Sequence, residues 1–347
     1  MAARGWPLAL AASFLVSTAL SEQYSPPPIT PPPRRSRGAK GPRPWDLSVR
    51  VFWGYNDNVA LVPDTTFFRG RKSSPYGGIT LDGAYRFVQD ADWVAGAGLR
   101  FDQVWYTATN PDRYGPASND ANDYNLTICT PRLFARRSFE LAGRPASVGF
   151  AYVHRRDWMP ISHGSAGYSR VHTLMCDTSV ELCRNVQGSA SYAVAFSNFD
   201  DDRANTPRDS RDGIRHTVGV AGTYFFHRRR RSLTLGYQWS NNNTRGDNFA
   251  SDAHKVSARL ESHLVGPLWF ALSGSYADQD FGGFTTGWID PPGRTRQHVR
   301  RCGVELLWVM TRHVTADFFC EHTRYDANQS RFEAENTNVG MGLTYRF

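Results

Sequence analysis

No stretch of this chain approaches the ~18–20 consecutive apolar residues that a membrane-spanning helix requires. That absence excludes a helical membrane protein. Cysteine is scarce, with five in 347 residues (Cys129, Cys176, Cys183, Cys302, Cys320). None stands in a Cys-x-x-Cys pair, which removes the usual zinc and redox spacings, and an odd number cannot pair completely within one chain. There is no His-Glu-x-x-His, no Gly-x-Ser-x-Gly and no glycine-rich phosphate loop. The expectation is a protein without catalytic residues, metal or cofactor. A surplus of one charge is also missing from the main body. The formal charge is +8, but residues 1–21 carry Arg4 alone, and residues 22–44 set five basic residues against Glu22. Everything from Trp45 on is left with +3. A nucleic-acid partner is not expected from so balanced a body.

The chain does have aromatics, which make up 13% of it, alongside 40% hydrophobic and 21% charged residues. The mean hydropathy is −0.49. A chain polar on average, rich in Tyr, Trp and Phe, and free of long apolar runs suits a membrane barrel, in which lipid-facing and lumen-facing residues alternate.

Three regions follow one another. Residues 1–21 read as a secretory signal peptide, with Arg4 before a short apolar stretch and Ala19-Leu20-Ser21 at the expected cleavage site. Residues 22–44 hold eight prolines in 23 positions and read as an extended periplasmic linker. From Trp45 to Phe347 the pattern has period two. Trp45, Leu47, Val49, Val51, Trp53 and Tyr55 alternate with Asp46, Ser48, Arg50, Phe52, Gly54 and Asn56. This alternation specifies strands, because successive side chains point to opposite faces.

Fourteen such segments can be marked, from 45–58 to 334–347. The fourth, 122–137, is the least regular because Pro131 interrupts it. The connections alternate short and long. Short ones fall at 89–91, 184–185, 265–267 and 311–312, and long ones at 61–76, 108–121, 200–212 and 278–296. Short periplasmic turns, long external loops and an even strand number predict a closed antiparallel transmembrane β-barrel of about 14 strands in the outer membrane. Its partners would include outer-membrane lipid. Aromatic residues should form two girdles. Trp45, Trp93, Phe226, Trp308 and Phe347 fall at the inner edge. Trp53, Tyr55, Trp105, Tyr106, Trp158, Tyr237, Trp239 and Tyr276 fall at the outer edge.

Placing the apolar face toward lipid defines the lumen. It takes Arg50, Arg86, Arg100, Arg215, Lys255, Arg259, Arg301 and Arg346. Against them stand Asp82, Asp102, Asp177, Glu181, Glu261, Glu305, Asp317 and Glu321. Equal numbers of the two signs suit ion pairs that brace the wall, or a polar conduit of weak selectivity. Small residues such as Ser191, Gly219 and Ser257 leave space between them. The histidines His172, His254 and His298 fall on the lipid face near strand ends. The oxygen-rich segments 119–123 and 200–205 lack EF-hand spacing and read as solvated turns. The basic segment 227–231 reads as a short-side hairpin.

One hairpin predicts a register. With Thr311 at its centre, Trp308 would face Val314, Leu306 would face Ala316 and Val304 would face Phe318. Arg301 would face Glu321, Glu305 would face Asp317, and Cys302 would face Cys320. The last pair makes a disulfide conceivable after export.

The final strand, Asn338 to Phe347, resembles the C-terminal signal of bacterial outer-membrane proteins, with Leu343, Tyr345 and the terminal Phe347 in alternation. That resemblance implies recognition by the barrel-assembly machinery. The opening strand, Trp45 to Val59, is similar to the start of the barrel domain in surface lipoprotein assembly modifiers, whose barrels have fourteen strands. It implies a conduit that helps an exported lipoprotein or other protein substrate reach the surface. The helical TPR repeats usual before that barrel are missing here, and only the 23 linker residues stand in their place. A passive porin for small solutes and a surface scaffold or adhesion barrel are the alternative readings.

Overall fold

The computed structural model describes residues 43–58, 73–107, 125–158, 169–199, 210–227, 229–246, 249–282, 295–328 and 333–347. The expected signal-peptide and linker segments lie outside them, apart from Arg43 and Pro44, as do most of the long connections and both oxygen-rich segments.

Fourteen strands form: β1 (Trp45–Asn56), β2 (Ser74–Gln89), β3 (Trp93–Tyr106), β4 (Leu126–Leu141), β5 (Arg144–Trp158), β6 (Ser169–Cys183) and β7 (Val186–Phe199), then β8 (Gly213–Phe226), β9 (Arg231–Thr244), β10 (Ser251–His263), β11 (Leu268–Phe281), β12 (Arg296–Val309), β13 (Val314–Ala327) and β14 (Ala334–Arg346). Each pairs antiparallel with its neighbours in sequence. β1 pairs with β14, from Ser48–Arg346 to Asn56–Asn338, and closes the barrel. Closure leaves no strand edge, which is the condition for a sheet in lipid, where an unpaired N–H or C=O finds no water. Strands of 12–16 residues rising ~3.3 Å each and tilted by ~40° stand tall enough for the ~25 Å apolar band of an outer-membrane barrel.

The burial pattern is inverted relative to a soluble protein. Leu235, Leu99 and Val220 are more than half exposed. Among the described residues, buried polar side chains outnumber buried apolar ones. Only a barrel with lipid outside and polar groups inside gives this order without a large penalty. The protein is therefore an outer-membrane barrel. Among the described residues no helix is long and apolar enough to cross a membrane.

Turn chemistry sets the strand ends. Ala142 and Gly143 both take positive φ, at 51° and 73°. Two such residues make the tight hairpin whose twist matches that of its strands. β4 therefore runs on to Leu141, four residues past the expected end. Pro131 is accommodated because its side of the ladder toward β5 is open: pairing there jumps from Cys129–Arg156 to Arg132–Val153, whereas pairing with β3 continues. A missing N–H costs little where no acceptor is waiting for it.

The hairpin between β12 and β13 departs from expectation by two residues. Its centre is Arg312, not Thr311: Trp308 faces Ala316, Leu306 faces Phe318, and Val304 faces Cys320. The Thr311 Oγ1 accepts hydrogen bonds from the backbone N–H of His313 and Val314, at 3.1 and 3.0 Å. That side-chain turn adds residues to the loop and moves the ladder along. Because the shift is even, no side chain changes face. Cys302 now faces His322, so the proposed pairing with Cys320 is lost, and both cysteines are free. Glu305 faces Phe319 rather than Asp317. Arg301 and Glu321 remain diagonal neighbours, 3.7 Å apart.

The sidedness can be tested directly. In a variant with all five native cysteines replaced by serine, a membrane-impermeant maleimide added to intact cells should label single cysteines within 200–212. It should not label them within 227–231. Labelling only the second segment would invert the barrel.

Candidate functional site in the lumen

The lumen divides into a braced part and an open part. Bracing uses one device three times. An arginine on one strand reaches across the next strand to an aspartate two strands away, and the residue crossed is a glycine. Arg50 of β1 crosses Gly342 of β14 to Asp317 of β13, with Nη2–Oδ2 at 2.6 Å and Nε–Oδ1 at 3.2 Å. Arg132 of β4 crosses Gly98 of β3 to Asp82 of β2, at 2.9 and 3.1 Å. Arg136 of β4 crosses Gly149 of β5 to Asp177 of β6, at 2.6 Å. The last three residues are directly in register. A Cβ on any of these glycines would fall 2.5–2.8 Å from a charged atom of the pair. Glycine is needed here because the guanidinium and carboxylate lie where a side chain would stand. Arg259 uses the same reach across β11, binding Glu305 at 3.1 Å as well as Glu261 at 2.7 Å on its own strand.

Other polar groups close the lumen locally. Asp102 accepts from Arg100 at 2.8 Å and from Thr80 at 2.7 Å. At the outer end, Arg155 and Asp157 form a fully buried pair at 2.6 Å, and Ser169 donates to the same carboxylate at 2.9 Å. On the short-turn side Arg86 is bonded to Asp46, and Arg229 reaches Glu181 at 2.8 Å. Arg346, next to the C-terminus, faces inward opposite Ser48. Of the residues expected to signal assembly, Leu343 and Tyr345 face outward, and the Tyr345 ring meets Phe347 at 4.8 Å.

All sixteen expected lumenal charges therefore lie on the inward phase of their strands. The sequence reading missed Arg132, Arg136, Arg155 and Asp157. The first two sit on β4, where Pro131 hid the alternation. It also placed Tyr106 in the outer girdle. In the structure Tyr106 faces inward and packs on Tyr76, with ring centroids 5.8 Å apart. The phase of β3 was available as a signal, since Tyr106 follows the outward Trp105.

The open part is a cavity of about 170 Å³ against the outer half of β6–β12. Serine and alanine dominate its wall, with the amides Gln238, Asn242 and Gln279. Gly219 beside Ser191, and Gly236 beside Ser257, keep the adjoining surface bare. Arg215, Lys255 and Arg301 line this cavity, and among the described lining residues there is no carboxylate. Glu321 lies beside Arg301, at 3.7 Å. The equal count of the two signs over the whole lumen conceals this separation.

No family model matches the chain, and no curated protein does. Solved structures with a similar course include the outer-membrane channel DcaP of Acinetobacter baumannii. It is 12% identical, with a TM-score of 0.48, over 87% of this chain and 96% of that one. A deltaS2 mutant of the TodX monoaromatic hydrocarbon channel is 11% identical, with a TM-score of 0.45, over 88% and 91%. OccK9 of Pseudomonas aeruginosa is 13% identical, with a TM-score of 0.43, over 87% and 98%. The fold rests on the strand ladder described above. Nothing in these similarities supports the resemblance to surface lipoprotein assembly modifiers.

Proposed function

We propose that the barrel is a passive channel for small hydrophilic solutes with a preference for anions. The cavity on β6–β12 carries this reading: it is polar, thinly lined and faced by three cations. A channel must attract its solute without holding it, and short hydroxyl and amide side chains around a few fixed charges meet that need. Size favours a small solute over a translocating protein. An extended polypeptide with side chains on both faces needs ~10 Å of clear width, whereas the cavity on β6–β12 offers about 170 Å³ and ion pairs line the wall along β1–β6 and β13–β14.

Mature protein refolded into a planar bilayer should give steady conductance steps. A salt gradient of KCl should produce a reversal potential of the sign set by chloride. Cation preference would overturn the anion assignment. A silent bilayer with a co-purifying lipoprotein would restore the translocation reading, and a silent, partnerless barrel would leave a surface scaffold.

A further inference from the structure

The short turn between β8 and β9 carries His227 and then four arginines in succession. Its described residues do not line the cavity on β6–β12. The backbone there is unusual for such residues. His227 and Arg229 take positive φ, at 51° and 65°, and the Arg230 N–H donates back to the His227 carbonyl at 3.2 Å. In this left-handed region Cβ crowds the following carbonyl oxygen, a cost that glycine avoids. Gly143 and Gly266 fill such positions in the β4–β5 and β10–β11 turns. The β8–β9 tip instead keeps basic side chains where glycine would relieve the backbone. Strain retained in this way points to a role for the side chains themselves.

Neighbouring turns are tied to this tip. The His263 N–H donates to the Arg230 carbonyl at 2.9 Å, and the Phe225 N–H donates to the Asn185 carbonyl at 2.7 Å. The carboxylates nearby are engaged: Glu181 accepts from Arg229 at 2.8 Å, and Glu261 accepts from Arg259 at 2.7 Å. Arg230 and Arg231 are exposed, and among the described residues they take part in no ion pair. The flank of the tip is apolar. Arg231 faces Phe226 on the lipid side, and the Phe226 ring stacks on Tyr224 at 5.9 Å. The next turn exposes Leu264 and Val265, and Val265, at 68%, is the barest large apolar side chain among the described residues. Cations beside bare apolar surface suit a phospholipid, whose phosphate meets the arginines while its acyl chains cover the apolar side chains. A cell-wall polymer would supply an anion but leave the apolar turn uncovered.

We propose that the short-turn rim of β8–β11 binds the phosphate of an anionic phospholipid in the adjacent leaflet. Arg230 and Arg231 grip the phosphate oxygens, to which their fixed forks of donors are matched. Arg229, held by Glu181 and lying over the Phe225 ring at 5.1 Å, fixes the turn that presents them. Tyr224, Phe226 and Val265 meet the glycerol and the acyl chains. The site lies at the lipid edge of the rim and is independent of the channel reading.

The test uses the full mature barrel in phosphatidylcholine nanodiscs, titrated with phosphatidylglycerol and read by native mass spectrometry. Arg230→Gln with Arg231→Gln should weaken phosphatidylglycerol retention on the order of thirtyfold, since each basic residue at an anionic surface contributes roughly fivefold. Arg144→Gln with Arg312→Gln removes two exposed arginines from other short turns and should leave retention nearly unchanged. Arg230→Lys with Arg231→Lys should keep much of the binding, and a heat-dependent gel shift reports folding in each variant. Inorganic phosphate at millimolar level should not compete. Equal retention by parent and glutamine variant, or an equal loss in the control pair, would overturn the site. Competition by inorganic phosphate would replace the lipid with a free anion. Soluble peptidoglycan fragments that bind the parent but not the glutamine variant, with lipid retention unchanged, would assign the rim to the cell wall instead.

Discussion

A barrel carrying Arg50→Ala should unfold at lower denaturant, losing about 3 kcal/mol. Removing one partner of a buried pair leaves the other charge without compensation, and such losses run to ~3–5 kcal/mol. The lower end applies because the Arg50 side chain is 32% exposed, whereas that of Asp317 is only 10% exposed. The pair also lies at the closing seam, reaching from β1 across β14 to β13. Asp317→Asn should cost less, because the amide still accepts one hydrogen bond. The double variant should fall short of the two single losses combined, by about 1 kcal/mol or more, as expected of groups in contact. Urea midpoints of the refolded protein in lipid, followed by tryptophan fluorescence, supply the cycle. Strict additivity would mean that the pair contributes nothing to closure. Gly342→Val probes the same contact from the crossed strand, and it should approach the loss seen for Arg50→Ala.

Reversing the charge of the cavity should have the largest effect on transport. With Arg215→Glu and Lys255→Glu together, the reversal potential should change sign from anion-preferring to cation-preferring. A charge ~7 Å from a passing ion in a water-like medium contributes ~0.6 kcal/mol, about threefold in local ion concentration. Two reversals amount to four units of charge, so the permeability ratio should move by well over tenfold. Salt would damp the change, because the screening length is ~10 Å at 0.1 M and ~3 Å at 1 M. Measurements at 0.1 M and 1 M therefore form a second check. Conductance with unaltered selectivity at both concentrations would place the ion path elsewhere in the barrel.

The fold was open to reading because a barrel strand obeys a rule local to the chain. Each residue of β1 and β14 faces lipid or lumen according to its parity, so fourteen strands and their faces follow from alternation alone. All sixteen lumenal charges came from that parity. Where parity is disturbed, as around Pro131, Arg132 and Arg136 escaped notice, and they form two of the three bracing pairs. The sequence by itself thus determined strand number, closure, the sidedness of residues wherever alternation is regular, and the inverted polarity. Which charge meets which depends on register, and register depends on turn geometry. The Thr311 hydroxyl moved the β12–β13 ladder by two places, separating Cys302 from Cys320 and Glu305 from Asp317 without turning any side chain to the other face. Contacts two strands apart, such as Arg50–Gly342–Asp317, require three registers at once and the tilt of the sheet. The same holds for the placement of Arg215, Lys255 and Arg301 on one wall, away from most lumenal carboxylates. Their sum was legible from composition, but their separation exists only once the sheet is closed.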